Sequence, residues 1–252
     1  QYAGFDHSIT LHMGAWGHCS IDLAAGRAVA FLAHNLAEQP ALVSRYLLNT
    51  VLTNFIIASG YGFLHATGLV REDKALLLMA PHNSGKSTSA LRLVFAGYAL
   101  LSDSMIFVDG RAGSLRLYGF PVGQFKLRAD MLNRFPQVAH LLESQPIRGE
   151  IKHVADLRQL DPGLAHERYF QPAEIRLCLL SLSHESKSSL RPAAAEEVHQ
   201  AIMANSLFYD DAGVWRQNLE QIGRLLERAQ AAHLAVGRDT AGLVQTVDTL
   251  WQ

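Results

Sequence analysis

The sequence predicts an α/β fold, a mixed sheet with flanking helices, and three observations carry that prediction. The apolar run Ala75-Leu76-Leu77-Leu78-Met79 reads as a buried strand and leads through a loop into a helical segment, Thr88 to Phe95. A second short apolar run, Tyr98 to Leu101, follows a helix stop at Gly97; a strand–helix–strand unit of this kind lays its strands side by side and parallel. A third run, Ile175 to Leu182, is another buried-strand candidate, followed by helical segments at Ala193 to Phe208 and Gly213 to Ala232.

The remaining elements fall in order around these. Phe5 to Met13 and His18 to Leu23 alternate loosely, with Gly14 and Gly17 between them, and predict an antiparallel hairpin; Ala28 to Leu32 adds a third strand. Pro40 opens a helix whose apolar positions Leu42, Val43, Tyr46, Leu47, Val51 and Phe55 recur at helical spacing. Phe63 to Leu69 reads as a strand joined to Ala75–Met79 by the polar turn Arg71-Glu72-Asp73-Lys74. Met105 to Val108 and Leu115 to Tyr118 flank the hairpin signature Asp109-Gly110-Arg111-Ala112-Gly113. Phe120-Pro121 turns the chain into Phe125 to Leu127, and Ala129 to Phe135 and Gln137 to Ser144 form short helices split by Pro136. Residues 145–172 are polar and rich in Pro and Gly, and are expected to be mobile surface excursions. His233 to Val236 gives a last strand, and Asp239 or Thr240 caps a closing helix to about Leu250. Residues 1–60, a hairpin and a helix, are expected to pack on a core of residues 61–252 as one structural unit.

Composition narrows the function classes. The chain has 252 residues, 49% of them hydrophobic and 18% charged, which suits a sizeable core and argues against disorder. A net charge of −1 gives no electrostatic case for nucleic acid or an anionic membrane as partner. The segment Tyr46 to Leu64 carries no Asp, Glu, Lys or Arg, but Asn49, Thr50, Thr53, Asn54, Ser59, Gly60 and Gly62 fit a buried helix better than a lipid-facing span. Cys19 and Cys178 lie far apart, form no metal spacing, and fit a reducing, cytoplasmic setting. The sequence opens on Gln1, so an N-terminus beyond it is expected, and no signal-peptide pattern is present in these residues.

The chemistry concentrates in Ala80-Pro81-His82-Asn83-Ser84-Gly85-Lys86-Ser87-Thr88. A loop between strand and helix that ends in Gly-Lys-Ser-Thr presents successive backbone N–H groups and the positive end of a helix dipole to an anion. Lys86 can reach terminal phosphates and the Ser87 hydroxyl can ligate Mg²⁺, so a nucleoside triphosphate is the expected ligand. Ala80 stands where the phosphate-loop pattern G-x-x-x-x-G-K-[ST] has its first Gly. Asp103 follows the Tyr98–Leu101 strand, 17 residues after Lys86, and would face the phosphates from a neighbouring strand end; there it can bind Mg²⁺ or accept a proton. Ser102-Asp103-Ser104 is also turn-prone, which is the structural alternative. Spacing alone leaves His65, just upstream of the loop's strand, open between a structural histidine and a phosphate ligand.

Leu64-His65-Ala66, Ala75–Met79, Asn83-Ser84-Gly85-Lys86-Ser87-Thr88 and Ala96-Gly97-Tyr98-Ala99-Leu100-Leu101-Ser102-Asp103 together resemble the core of the HPr kinase/phosphorylase-like proteins, over about residues 63–109. The resemblance implies a compact phosphate-loop fold akin to phosphoenolpyruvate carboxykinase, with ATP and Mg²⁺ as cofactors and phosphoryl transfer to a hydroxyl. The implied acceptor is a serine on a protein or peptide, or sometimes a small molecule. It assigns phosphate binding to residues 82–88, Mg²⁺ to Ser87 and Asp103, the catalytic base to Asp103, and a phosphate-site role to His65. Multimeric relatives make a homo-oligomer an expectation. The sequence departs from the family pattern at Ala80 and at Ser104, which replaces a second Asp. Ile147-Arg148-Gly149-Glu150 is the nearest text to a later Arg-Gly signature, so Arg148 or Lys152 is a candidate for charge on the transferring phosphoryl group. Ala80 and Ser104 motivate an alternative, a nucleotide-binding module without transfer activity that regulates a partner. A phosphate binder with no adenine selectivity is the third reading.

Overall fold

A computed structural model describes residues 2–5, 7–81, 84–147, 150–206 and 211–252. The chain separates into two units, residues 1–62 with 207–223, and residues 63–206 with 224–252.

In the first unit the alternating N-terminal residues form a four-stranded antiparallel meander: β1 (Tyr2–Phe5), β2 (Ser8–His12), β3 (Gly17–Asp22) and β4 (Arg27–Leu32). The expected hairpin is β2–β3; β1 is an added strand that the alternation did not isolate. Ile9 pairs with Ile21 and Leu11 with Cys19, which places four apolar side chains on one face. Leu47 and Val51 of the Pro40–Ala58 helix close over that face. The helix widens to π geometry over Val43–Leu48. It is long and apolar enough to cross a membrane by length and composition. Asp211 caps the Ala212–Leu226 helix by accepting from Gly213 and Val214 N–H.

The second unit holds β5 (Gly62–Leu64), β6 (Thr67–Arg71), β7 (Lys74–Met79), β8 (Ala99–Ser102), β9 (Met105–Asp109), β10 (Arg116–Phe120), β11 (Gln124–Arg128), β12 (Glu143–Ile147), β13 (Glu150–Asp156), β14 (Glu174–Leu182), β15 (Ser189–Pro192) and β16 (Ala229–Val236). Its main sheet is mixed, in the order β15-β16-β14-β7-β6-β8, so the chain is mixed α/β as expected. The three central strands β7, β14 and β16 run parallel. β7 and β14 are the apolar runs Ala75–Met79 and Ile175–Leu182, as strands covered on both faces must be. Leu76, Leu78, Cys178 and Leu180 share one core with Leu91 and Val94 of the Lys86–Val94 helix and Leu243 and Val247 of the Thr240–Asp248 helix.

Several expectations are corrected. The strands flanking the loop and helix are not neighbours: β6 lies between β7 and β8, antiparallel to both. The residues read as one strand, Phe63 to Leu69, break at His65-Ala66, and β6 turns back into β7 through Glu72, whose φ is 56°. That tight turn forces an antiparallel neighbour onto β7 before the helix can return a parallel one. β7 and β8 still run the same way, so their carboxyl ends share one edge. Residues 145–172 are not all excursion: β12 and β13 form a sheet with β11, in the order β11-β13-β12. Their polarity hid them: of the apolar residues in β13 Val154 and Ala155 are buried while Ile151 is exposed, and Pro146 sits on the edge strand, where it is tolerated. The helix expected to run to Ala232 ends at Leu226, and β16 starts at Ala229. The segments 129–135 and 137–144 are 3₁₀ turns at Ala129–Arg134 and Pro136–Leu141. β15 was not foreseen.

Candidate functional site

The loop after β7 ends at Gly85, whose φ of 83° is left-handed; a Cβ there would meet Leu182 Cδ2 at 2.8 Å. The first helical bond runs from Ser89 N–H to the Gly85 carbonyl, which leaves the preceding amides outside the helix's own ladder. They lie at the positive end of the helix dipole. Ser84, Gly85, Lys86, Ser87 and Thr88 form one wall of a cavity of about 380 Å³. His65, between β5 and β6, lines the same cavity, its backbone N–H donating to the Asn205 carbonyl at 2.8 Å.

Asp103 is the hub. It directly follows β8, at the edge where β7 also ends, and is 6% exposed. Ser87 Oγ donates to Asp103 Oδ2 at 2.9 Å, and the Lys126 backbone N–H donates to the same oxygen at 3.1 Å. The Thr67 hydroxyl, fully buried at the start of β6, donates to the Asp103 carbonyl at 3.0 Å and lies 3.4 Å from Oδ1. The inserted strand β6 thus fixes the turn that carries the carboxylate. Burial pushes the Asp103 pKa up, against the opposing pull of Lys126, Ser87 and Lys86.

Lys86 is 9% exposed and folds back on its own loop, donating to the Ala80 carbonyl and, at 3.2 Å, to the Pro81 carbonyl. Burial lowers its pKa; Asp103 raises it and Lys152 lowers it further. Three more cations reach the cavity from the small sheet. On β11, Phe125 and Leu127 turn into the core, so Lys126 and Arg128 take the other face, and Lys152 of β13 pairs directly with Arg128 on that face. Lys126 Nζ lies 3.4 Å from Ser104 Oγ, and Arg128 pairs with Asp130 at 3.2 Å. Among the described residues, the cavity's charged lining is Lys86, Lys126, Arg128 and Lys152 against Asp103 and Asp130.

His65, Ser84, Gly85, Lys86, Ser87, Thr88 and Asp103, singled out in the sequence, therefore line one cavity together with Ser104 and Lys152. His82 and Asn83 of the loop, and Arg148, lie outside the described residues. The sequence reading missed Thr67 and Lys126. The alternation Phe125-Lys126-Leu127-Arg128 announced a charged strand face; what it did not announce was that this face closes over Asp103.

The donor set bears on a metal. Among the described residues no three His, Cys, Asp or Glu side chains come together as a metal site. Ser87 Oγ beside Asp103 Oδ2 is instead a two-residue pair, enough for Mg²⁺ that arrives already coordinated by phosphate oxygens.

No family model and no curated protein matches this sequence. Among solved structures, the Hpr(Ser) kinase/phosphatase from Coxiella burnetii is similar at 15% sequence identity and a TM-score of 0.40, over 75% of this chain and 95% of that one.

Proposed function

We propose that the cavity binds a nucleoside triphosphate, ATP, and that the chain is a kinase transferring the γ-phosphoryl group to a hydroxyl. A serine of a peptide or protein is the favoured acceptor, and a small-molecule hydroxyl is the variant of the same chemistry. The observation that carries the reading is the Ser87–Asp103 hydrogen bond at the mouth of a helix N-terminus that also presents Lys86.

In this reading the phosphates lie against the amides of Ser84–Thr88, where the helix dipole favours negative charge. Lys86 exchanges its two carbonyl partners for phosphate oxygens. His65, which lines the same cavity, contacts phosphate. Ser87 and Asp103 would hold Mg²⁺, which would supply charge neutralisation at the phosphates. Asp103 accepts the acceptor's hydroxyl proton, the hydroxyl oxygen bonds to the γ-phosphorus, and the bond to the β–γ bridging oxygen breaks, releasing ADP.

Transfer from γ-labelled ATP to serine-containing peptides tests this. Asp103→Asn should cut label transfer by at least ~100-fold, the lower range for a general base, while ATP affinity stays within a few-fold of wild type. Transfer at the wild-type rate would remove Asp103 as base. A second reading, a nucleotide-binding module without transfer, is favoured by Ser104, a neutral hydroxyl facing the cavity beside Asp103. It expects ATP binding with no labelled product on any acceptor.

A further inference from the structure

We propose that Lys126 is a built-in counter-cation for the phosphate ligand, so that capture of the triphosphate does not require a divalent ion. The inference rests on the phosphate-site reading above and assigns a role to a residue outside the loop. Lys126 is placed by two independent features. Its neighbours Phe125 and Leu127 are each 1% exposed, which fixes the strand's facing and turns Lys126 to the cavity. Its own N–H holds Asp103 Oδ2, which ties its backbone to the carboxylate at the centre of the site.

The charge balance then decides what it faces. Its ammonium lies beside a neutral hydroxyl, Ser104 Oγ, at 3.4 Å, and its charge is the strongest pull on the Asp103 carboxylate. Lys86 and Lys152 line the same cavity, and of the two lining carboxylates, Asp130 already pairs with Arg128. Four cations against two carboxylates leave the lining net positive before any divalent ion arrives. A triphosphate carries three to four negative charges and is attracted by the same lysines. A lysine's long stem and three donors let Lys126 follow the phosphates without moving its strand. Capture of the ligand thus falls to lysines on two elements, the Lys86–Val94 helix and the β11–β13 sheet.

Calorimetry on the full chain tests this with ATP and with inorganic tripolyphosphate, each in excess Mg²⁺ and in EDTA. For wild type, both ligands should bind in EDTA within about fivefold of their affinity in Mg²⁺. Lys126→Met keeps the backbone N–H and most of the stem, and should weaken binding in EDTA by ~10-fold or more, the range for a hydrogen bond to a charged group. Ser104→Asp sets a carboxylate beside Lys126 and should make binding depend on Mg²⁺, an arm that does not rely on the Lys126 variant folding. Wild-type binding in Mg²⁺ that disappears in EDTA would overturn the inference and leave the phosphate site standing. So would wild-type affinity of Lys126→Met in both buffers. Failure of wild type to bind either ligand in either buffer would instead remove the phosphate-site reading itself, and the inference with it.

Discussion

Burial raises the Asp103 pKa above its ordinary 3.8, and that direction fixes the residue's effect on stability. The unfolded chain gives up this proton near 3.8, the native chain only at higher pH. The native state therefore gains from the protonated form below 3.8 and loses that gain as the pH rises through the native value. At neutral pH the buried charge opposes folding, and Lys126, Ser87 and Lys86 offset only part of it. Asp103→Asn should then melt at or above wild type at pH 7, with the difference shrinking as the pH is lowered toward 3.8, while transfer activity is lost. Thermal melts of the two proteins across pH 4 to 8 check this. A variant that melts several degrees below wild type at pH 7 would show that the carboxylate's hydrogen bonds outweigh its desolvation. In the proposed kinase, Asp103 would cost stability where its chemistry is used, the usual pattern of a functional site.

At the scale of elements, β10 presses on β8 just before Asp103. The Ser102 hydroxyl donates to the Phe120 carbonyl at 2.9 Å, and a Cβ on Gly119 would collide with the Leu101 carbonyl oxygen. Gly119→Ala must push the two strands apart, at about 1–3 kcal/mol for an overpacked contact. Because β8 delivers Asp103, the same change should weaken ATP binding, although residue 119 does not line the cavity. Urea denaturation and calorimetry read the two effects separately; lost stability with unchanged affinity would reduce β10 to a packing element. This dependence marks where the sequence stops being legible. The loop, its helix and the Asp103 strand could be read because each is a local pattern, an apolar run or a Gly-Lys-Ser-Thr at a helix start. The placement of β6 between β7 and β8 could not, because a tight turn and a helix crossover compete for the same flank of β7 and no local pattern ranks them. Lys126 was hidden for a related reason. Its strand face was visible, but the pairing of β11 with β13, across residues that read as a polar excursion, decides what that face covers.

At the scale of the whole molecule, stability and ligand capture should come apart. Leu77, at the centre of β7 and fully buried, pairs with Leu177 of β14, which is bonded to strands on both sides. Leu77→Ala removes core volume at about 2–5 kcal/mol, a large share of the ~5–15 kcal/mol that holds a domain folded. Lys86 is different in kind. It is a buried ammonium whose pKa burial lowers, so its charged form at neutral pH contributes nothing favourable to folding through burial. Lys86→Met should leave the melting temperature unchanged or raised. A ligand at a hundredfold excess over its Kd adds about 2.7 kcal/mol, or roughly 5–10 °C at ~2–4 °C per kcal/mol for a chain of this size. Leu77→Ala should therefore melt well below wild type yet keep the ATP-induced shift, because the loop, Asp103 and the lysines remain in place on a weakened sheet. Lys86→Met should melt like wild type and lose most of the shift. Thermal melts of the three proteins with and without ATP decide the matter. A full ATP shift in Lys86→Met would place the ligand away from the loop. A lost shift in a folded Leu77→Ala would mean that the site's geometry depends on the packing of the sheet's centre and not on the strand ends alone.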